Sequence, residues 1–268
     1  MPSKPTKLKI LFIGDIVGRP GRNALKQWLP VWKKEHEIDF VVANGENAAG
    51  GMGMTAKIHA ELLGMGIDVL TSGNHIWHKK EIFHVLEASD RLLRPANYPE
   101  TVPGRGWAVH ERDGLKIVTL NLEGRVFMKS LECPFKTADR LLENADAEVV
   151  LVDFHAEATS EKIALGWYLD GRASAVVGTH THVQTADESI LPGGTAYISD
   201  LGMTGPADSV IGMKKNVVLQ RFLTQMPTKF EVAKGPTVIS GAQVIVDTGT
   251  GKALSIERIR VFRPNSGP

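Results

Sequence analysis

His180 and His182 stand one residue apart in Gly178-Thr179-His180-Thr181-His182-Val183, directly after the apolar run Ala173-Ser174-Ala175-Val176-Val177. If the backbone stays extended there, residues two apart point to the same side, and both imidazoles face one spot. Two protonated imidazoles would repel each other; a shared metal centre takes both as neutral ligands. Alone, the pair is equally well read as polar loop histidines. Four other apolar runs, however, also end in residues that can ligate metals: Asp15, Glu46-Asn47, Asn74-His75 and His155. This mixture of carboxylates, carboxamides and imidazoles suits divalent iron, manganese or zinc better than calcium or magnesium, which prefer oxygen shells. It also exceeds what one tetrahedral ion needs, whereas two ions about 3.5–4 Å apart sharing a carboxylate would use it all.

Each residue has a plainer reading. Asp15 could cap a loop, Glu46 could be a solvated acid, Asn74 could serve a left-handed turn, and His155 could be a hydrogen-bonded strand-end histidine. His36, His59, His84 and His110 fall on helical or hairpin faces, and His78 lacks a strand-end context, so these five stay outside the site. The combination is more specific than any member.

Such residues must be brought together by elements. Leu8 to Ile13 reads as a strand ending at Gly14-Asp15. Pro20 suits the first helical position, and Ala24, Leu25, Trp28, Leu29 and Trp32 carry a helix to about His36, with a bend or break expected at Pro30. Strands over Ile38 to Ala43 and Ile67 to Thr71 flank a flexible loop with Gly50, Gly51 and Gly53, then a helix from an N-cap at Thr55 to about Met65. Alternating strands and helices imply a parallel sheet, whose ligands bind beyond the carboxyl ends of its strands. A helix over Lys79 to Ala88, a hairpin turning at Asp113-Gly114, an irregular Phe127 to Phe135 and a helix over Thr137 to Asn144 follow. Then come a strand over Glu148 to Phe154, a helix over Ser160 to Leu169, a hairpin at Pro192-Gly193-Gly194, a helix over Lys214 to Gln225, and an antiparallel ribbon from Thr237 to Val261. The late strands need a surface, which a second sheet against the first would supply.

At 268 residues the chain suits a large α/β domain with a full core, read as a single domain over residues 8–268 behind a disordered tail at residues 1–7. A net charge of +1 gives no global field for nucleic acid or an anionic membrane. Cys133 is the one cysteine, no run spans a bilayer, and no signal peptide is apparent, so a cytoplasmic location with no membrane partner is the default expectation.

The pattern Gly14-Asp15, Gly45-Glu46-Asn47, Gly73-Asn74-His75, His155 and Gly178-Thr179-His180-Thr181-His182 resembles the calcineurin-like metallophosphoesterases. It departs from most of that superfamily: Asp15-Ile16-Val17 lacks the usual histidine, Glu46 stands where an aspartate is common, and Ile76-Trp77 follows Gly-Asn-His. These departures, with Phe12 to Gly21 and Asn44 to Gly51, resemble the YmdB-like branch of phosphodiesterases. That resemblance implies a four-layer αββα sandwich, two packed mixed sheets flanked by helices. It implies two divalent metal ions, iron or manganese: Asp15, Asn47 and His182 holding one, Asn74, His155 and His180 the other, and Glu46 bridging them. It also implies hydrolysis of phosphodiesters, 2′,3′-cyclic nucleotides among them. Hydroxide bridging the ions would attack, and His75 would be the general acid rather than a ligand. Arg19, Arg22 and Arg125 are candidates for phosphate contact. RNA as a ligand and assembly into a homo-oligomer stay open. The competing readings are a metal-dependent phosphomonoesterase or other hydrolase, and a regulatory nucleotide- or RNA-binding protein with structural metals; a pure binder would have no need of a proton donor at His75.

Overall fold

The computed structural model describes residues 4–143 and 145–264. The first half contains β1 (Lys7–Ile13), β2 (Asp15–Ile16), α1 (Gly18–His36), β3 (Phe40–Asn44), α2 (Ala56–Gly64), β4 (Val69–Thr71) and α3 (Ile82–Ala88). It continues with β5 (Trp107–Arg112), β6 (Leu115–Glu123) and α4 (Pro134–Leu142). The second half contains β7 (Val149–His155), α5 (Thr159–Tyr168), β8 (Ala175–Thr179), β9 (Ser189–Ile190), β10 (Ala196–Ile198) and β11 (Met203–Pro206). It ends with α6 (Lys215–Thr224), β12 (Thr237–Asp247) and β13 (Ala253–Arg263).

Two mixed sheets face each other. One runs β2-β11-β12-β1-β3-β4, with β13 on the far side of β12; the other runs β5-β6-β7-β8-β10-β9. Leu8, Ile10, Phe12, Phe40 and Val42 meet Ile117, Leu151, Val177 and Ile198 between the sheets. Outside the first sheet Leu11, Ile13 and Val41 pack on Leu25, Trp28, Leu62 and Leu86 from α1, α2 and α3. Outside the second, Val118, Leu120, Val152 and Phe154 pack on Ala138 of α4 and Leu165 of α5. The αββα sandwich expected from the motifs is the observed fold. Alternation along each strand sends one face to its partner sheet and the other to helices, so these strands are apolar on both faces.

The differences from expectation have local causes. α1 passes through Pro30 without interruption, and Pro20 is its third residue, not its first. Both positions are tolerable: the first-turn amides have no intrahelical partner, and Pro30 lies on the exposed face. The helix expected from Lys79 begins only at Ile82, as α3, and a 3-10 turn, Ile76–His78, precedes it. α4 starts at Pro134, ahead of the expected Thr137, and its expected end at Asn144 lies outside the described residues. The loop after Glu46 is a tied turn, not a flexible connection: Gly51 N donates to Asn47 O (3.1 Å) and Ala49 N to Gly53 O (2.9 Å). Of the tail, residues 1–3 lie outside the described residues, while Thr248 binds the carbonyls of Pro5 and Thr6. Thr55 is the N-cap expected, accepting from Ile58 N at 3.2 Å. Among the described residues no helix is long and apolar enough to cross a membrane.

Candidate metal centre

β1 and β3 lie parallel in one sheet, and β7 and β8 in the other. Their carboxyl ends, with the loops that follow, bring all eight residues read from the sequence together at one rim. His155 ends β7 and is fully buried. Its Nε2 lies 3.1 Å from Asn74 Oδ1, 3.1 Å from Glu46 Oε1 and 3.0 Å from His180 Nδ1. Glu46, His155 and His180 each bring a ligand atom within 4.8 Å of the other two.

A second group adjoins the first. Asn47 Nδ2 lies 3.1 Å from His182 Nε2 and 3.4 Å from Asp15 Oδ1, and His182 Nε2 lies 3.7 Å from Asp15 Oδ1. His75 touches both groups: its backbone N donates to Glu46 Oε2 (2.8 Å) and its Nδ1 lies 2.8 Å from Asn47 Oδ1. His78 remains outside, on an exposed turn with Nδ1 3.0 Å from His75 O.

The histidine pair converges by a different route from the one expected. The strand stops at Thr179, and His180 and His182 take left-handed backbone, φ 104° and 65°. Extended backbone is replaced because three acceptors grip the segment. Asp15 Oδ2 accepts from His180 N (3.1 Å), Asp200 Oδ2 accepts from Thr181 N (3.1 Å), and Ile211 O lies 2.9 Å from His182 Nδ1. Asp200 is itself buried against Lys162 at 2.6 Å. Such conformations cost roughly 1–3 kcal/mol each where side chains are present, and the surrounding bonds hold them.

Close approach explains two of the glycines. A Cβ on Gly73 would sit 2.0 Å from His155 Cδ2, and one on Gly178 would sit 1.8 Å from the Ser199 carbonyl oxygen. Neither distance is possible for real atoms, so the buried imidazole and the β8 backbone require these glycines.

Behind His155 runs a chain the sequence reading missed. Thr179 Oγ1 donates to Asp153 Oδ1 (2.7 Å), so its oxygen can accept from His155 Nδ1, 3.0 Å away. In the neutral ring this places the His155 proton at Nδ1 and leaves the Nε2 lone pair facing the cluster. Thr71 donates to the other Asp153 oxygen. The available signal was alternation: Asp153 and His155 share a face of β7. Glu157, whose Oε2 lies 3.1 Å from His180 Nε2, was also missed; an acid two residues past a strand-end histidine was the clue.

Charges respond to this crowding. Burial opposes ionisation of Glu46, but the adjoining His155 prevails and brings the carboxyl down to about 2. Burial likewise opposes a charged His155, yet Glu46 outweighs it and lifts the imidazole to about 9. Burial, then His155, push His180 down to about 3. Burial lowers His75 and raises Asp15.

These residues fit a divalent cation. Glu46 Oε1 is buried and receives no well-directed hydrogen bond. One imidazole N–H cannot serve Asn74 Oδ1, Glu46 Oε1 and His180 Nδ1 together, whereas a cation takes all these lone pairs. The cleft above the cluster holds about 480 Å³ and is lined by Glu46, Asn47, His75, Glu157, His180 and His182 on its polar side. Among the described residues, no arginine or lysine belongs to that lining. Arg22 is committed to Glu61 and the Ala48 carbonyl, and Arg19 lines a separate cleft with Lys234 and Arg263. Arg125, too, is outside the cleft lining.

The model of the YmdB-like proteins matches residues 11–259. A 2′,3′-cyclic-nucleotide 2′-phosphodiesterase of Bacillus subtilis is 51% identical over 256 residues, 95% of this chain and 97% of that protein. A solved structure from Thermus thermophilus, described as a hypothetical protein, superposes with TM-score 0.92 at 43% identity, covering 96% of this chain and 100% of the other. A phosphatase structure from Mycoplasma pneumoniae superposes with TM-score 0.93 at 35% identity, covering 98% and 96%. The resemblance read from the motifs is borne out along nearly the whole chain, and the chain belongs to the YmdB-like family.

Proposed function

We propose that this chain hydrolyses 2′,3′-cyclic nucleotides at a centre of two divalent metal ions, iron or manganese. Asp15, Asn47 and His182 would hold one ion, Asn74, His155 and His180 the other, and Glu46 would lie between. The observation that carries this reading is a converging set of buried lone pairs at the floor of a cleft that has acids and imidazoles but no lysine or arginine. A phosphate would be repelled from that floor unless cations stood on it. When bound, such ions lower the pKa of water and offset the charge that builds on phosphorus.

The chain's own residues then have distinct tasks. Glu46 fixes His75 through the backbone bond to its Oε2. Asn47 as placed offers Oδ1 to His75 and Nδ2 to Asp15 and His182. As an acid His75 must carry both ring protons: its Nδ1–H faces Asn47 Oδ1 (2.8 Å) and Glu46 Oε1 (3.5 Å), and its second proton sits on Nε2. Asn47 Oδ1 keeps a second lone pair for the ion it would hold. From Nε2 the proton passes to the leaving 2′-oxygen as the phosphorus–O2′ bond breaks; water gives its oxygen to phosphorus and its displaced proton to solvent, from which neutral His75 is reprotonated, and the nucleoside 3′-phosphate remains. The 2′-bond is chosen because the Bacillus relative is named for it. Burial lowers His75 in the free protein, so its charge as an acid depends on the arriving phosphate anion.

Turnover of 2′,3′-cyclic AMP after manganese or iron loading, with product assignment by phosphorus NMR, tests the reading. The 3′-phosphate is expected; rapid cleavage of monoesters with the cyclic diester untouched would favour the phosphomonoesterase alternative. His75→Ala is expected to retain its metals and lose about 10²–10⁴-fold in kcat, checked by elemental analysis beside steady-state kinetics.

A further inference from the structure

The cleft has a second half that the reaction above does not use. Beside the polar floor, the lining of the cleft includes an apolar wall of Met52, Ile211, Met213, Phe222 and Phe230. Four of these five side chains are open to solvent: Phe222 is 71% exposed, Ile211 49%, Phe230 39% and Met52 37%, while Met213 is buried. The wall is joined to the metal-ligand candidates, because the Ile211 carbonyl is the group facing His182 Nδ1 at 2.9 Å. A ligand whose phosphate sits on the floor therefore lays its remaining part on this wall.

We propose that this wall is the subsite for the nucleobase of the substrate, holding it by its flat face and leaving its edge unread. The inference rests on the phosphodiesterase reading and extends it to what the site selects. Two aromatic rings and two methionines supply face contact, which every base offers. These five side chains carry no amide, guanidinium, carboxylate or hydroxyl with which to recognise a base edge; the polar side chains that line the cleft are those of the floor and Thr181. Discrimination among bases would need such groups, since rejecting a wrong partner depends on leaving a buried polar group unpaired. The volume of about 480 Å³ lies within the usual range for sites of small organic ligands. The site is thus built to accept all four 2′,3′-cyclic nucleotides, with purines ahead of pyrimidines through larger stacking area.

Calorimetry on the manganese-loaded protein tests this without turnover, using adenosine 3′-phosphate, cytidine 3′-phosphate and inorganic phosphate as probes. Adenosine 3′-phosphate is expected to bind at least ~5-fold tighter than phosphate, as one stacked base contributes a factor of roughly 5 to 150. Phe222→Ala should remove most of that advantage, with Phe222→Trp restoring it, and the two nucleotides should differ by less than ~10-fold. Phe222 is largely exposed, so neither variant threatens the fold. Equal binding of adenosine 3′-phosphate and phosphate by the wild type would overturn the subsite, as would an advantage that survives Phe222→Ala. Leu219, Leu223 and Met226 continue an exposed apolar stripe on and just past α6, outside the cleft. If Phe222→Ala changes only the mass in light scattering and leaves the nucleotide advantage intact, the wall is a contact between copies and not a base site. Failure of the phosphodiesterase reading would show separately, as no turnover of the cyclic nucleotide by the wild type.

Discussion

The two groups of candidate ligands are built differently. His155 is fully buried at the end of β7, and its imidazole is braced by Thr179 and Asp153. Around His182 the backbone is left-handed, and the imidazole is braced by the carbonyl of Ile211, which itself has φ 46°. In the first group His155 takes its rigidity from a parallel sheet, while His180 has already left the sheet in left-handed backbone. The second depends on a loop meeting another loop. Metal affinity should follow that difference, with the His155 group tight and the His182 group looser and more responsive to substitution at a distance.

The largest effect is expected at Gly73. Its replacement by alanine forces a Cβ into the His155 ring, 2.0 Å away, with nowhere for a fully buried imidazole to go. Stability should fall by about 1–3 kcal/mol or more, read by urea denaturation, and elemental analysis should find the His155 ion gone. An unchanged metal content would show that this group is less rigid than argued.

Next comes pH. His155 has a folded pKa of about 9 against an ordinary 6.5, so in the metal-free protein its contribution to stability is full below 6.5 and lost as pH rises through about 9. Glu46, at about 2 against 4.5, contributes above 4.5 and loses its contribution as pH falls through about 2. A metal competes with the His155 proton. Manganese affinity is therefore expected to climb by up to ~10-fold per pH unit between about 6.5 and 9, measured calorimetrically in buffers of different ionisation heat. A flat profile would detach His155 from the metal.

Thr179→Val keeps shape and removes the link between His155 and Asp153. Losses of about 10–100-fold in affinity are typical when such a partner is removed, and manganese titration would measure it. Ser209→Ala is the smallest change. Ser209 Oγ accepts from Gly212 N (2.8 Å) and donates to Pro206 O (2.6 Å), tying the loop that carries Ile211. One such bond corresponds to roughly a two- to tenfold loss, confined to the more weakly held ion. Equal weakening of both ions would erase the distinction between the groups.

The same contrast explains what could be read from sequence. His155 and Asn74 follow apolar runs, and a run that ends in a ligand announces both the strand and the residue. A second sheet followed from the late ribbon's need for a surface, and the layered sandwich from the family resemblance of the motifs. Lost to that reading were β2 and β11, short strands joined by contacts such as Met203 opposite Asp15 that no local pattern encodes. The bent course of His180 to His182 was also hidden, because Asp15 and Asp200 impose it from far along the chain. The role of Asp153 needed its neighbour Thr179, one strand away.

β12 adds a consequence for how the molecule comes into being. It lies between β1 and β13, and Gly14 N donates to Ser240 O at 2.9 Å, immediately before Asp15. Residues synthesised late are thus the ones that seat a residue synthesised early. A ribosome that stalls before residue 240 releases a chain carrying all eight candidate site residues yet lacking the strand that aligns the first of them. Capacity to retain the proposed cations would then report that translation had passed β12.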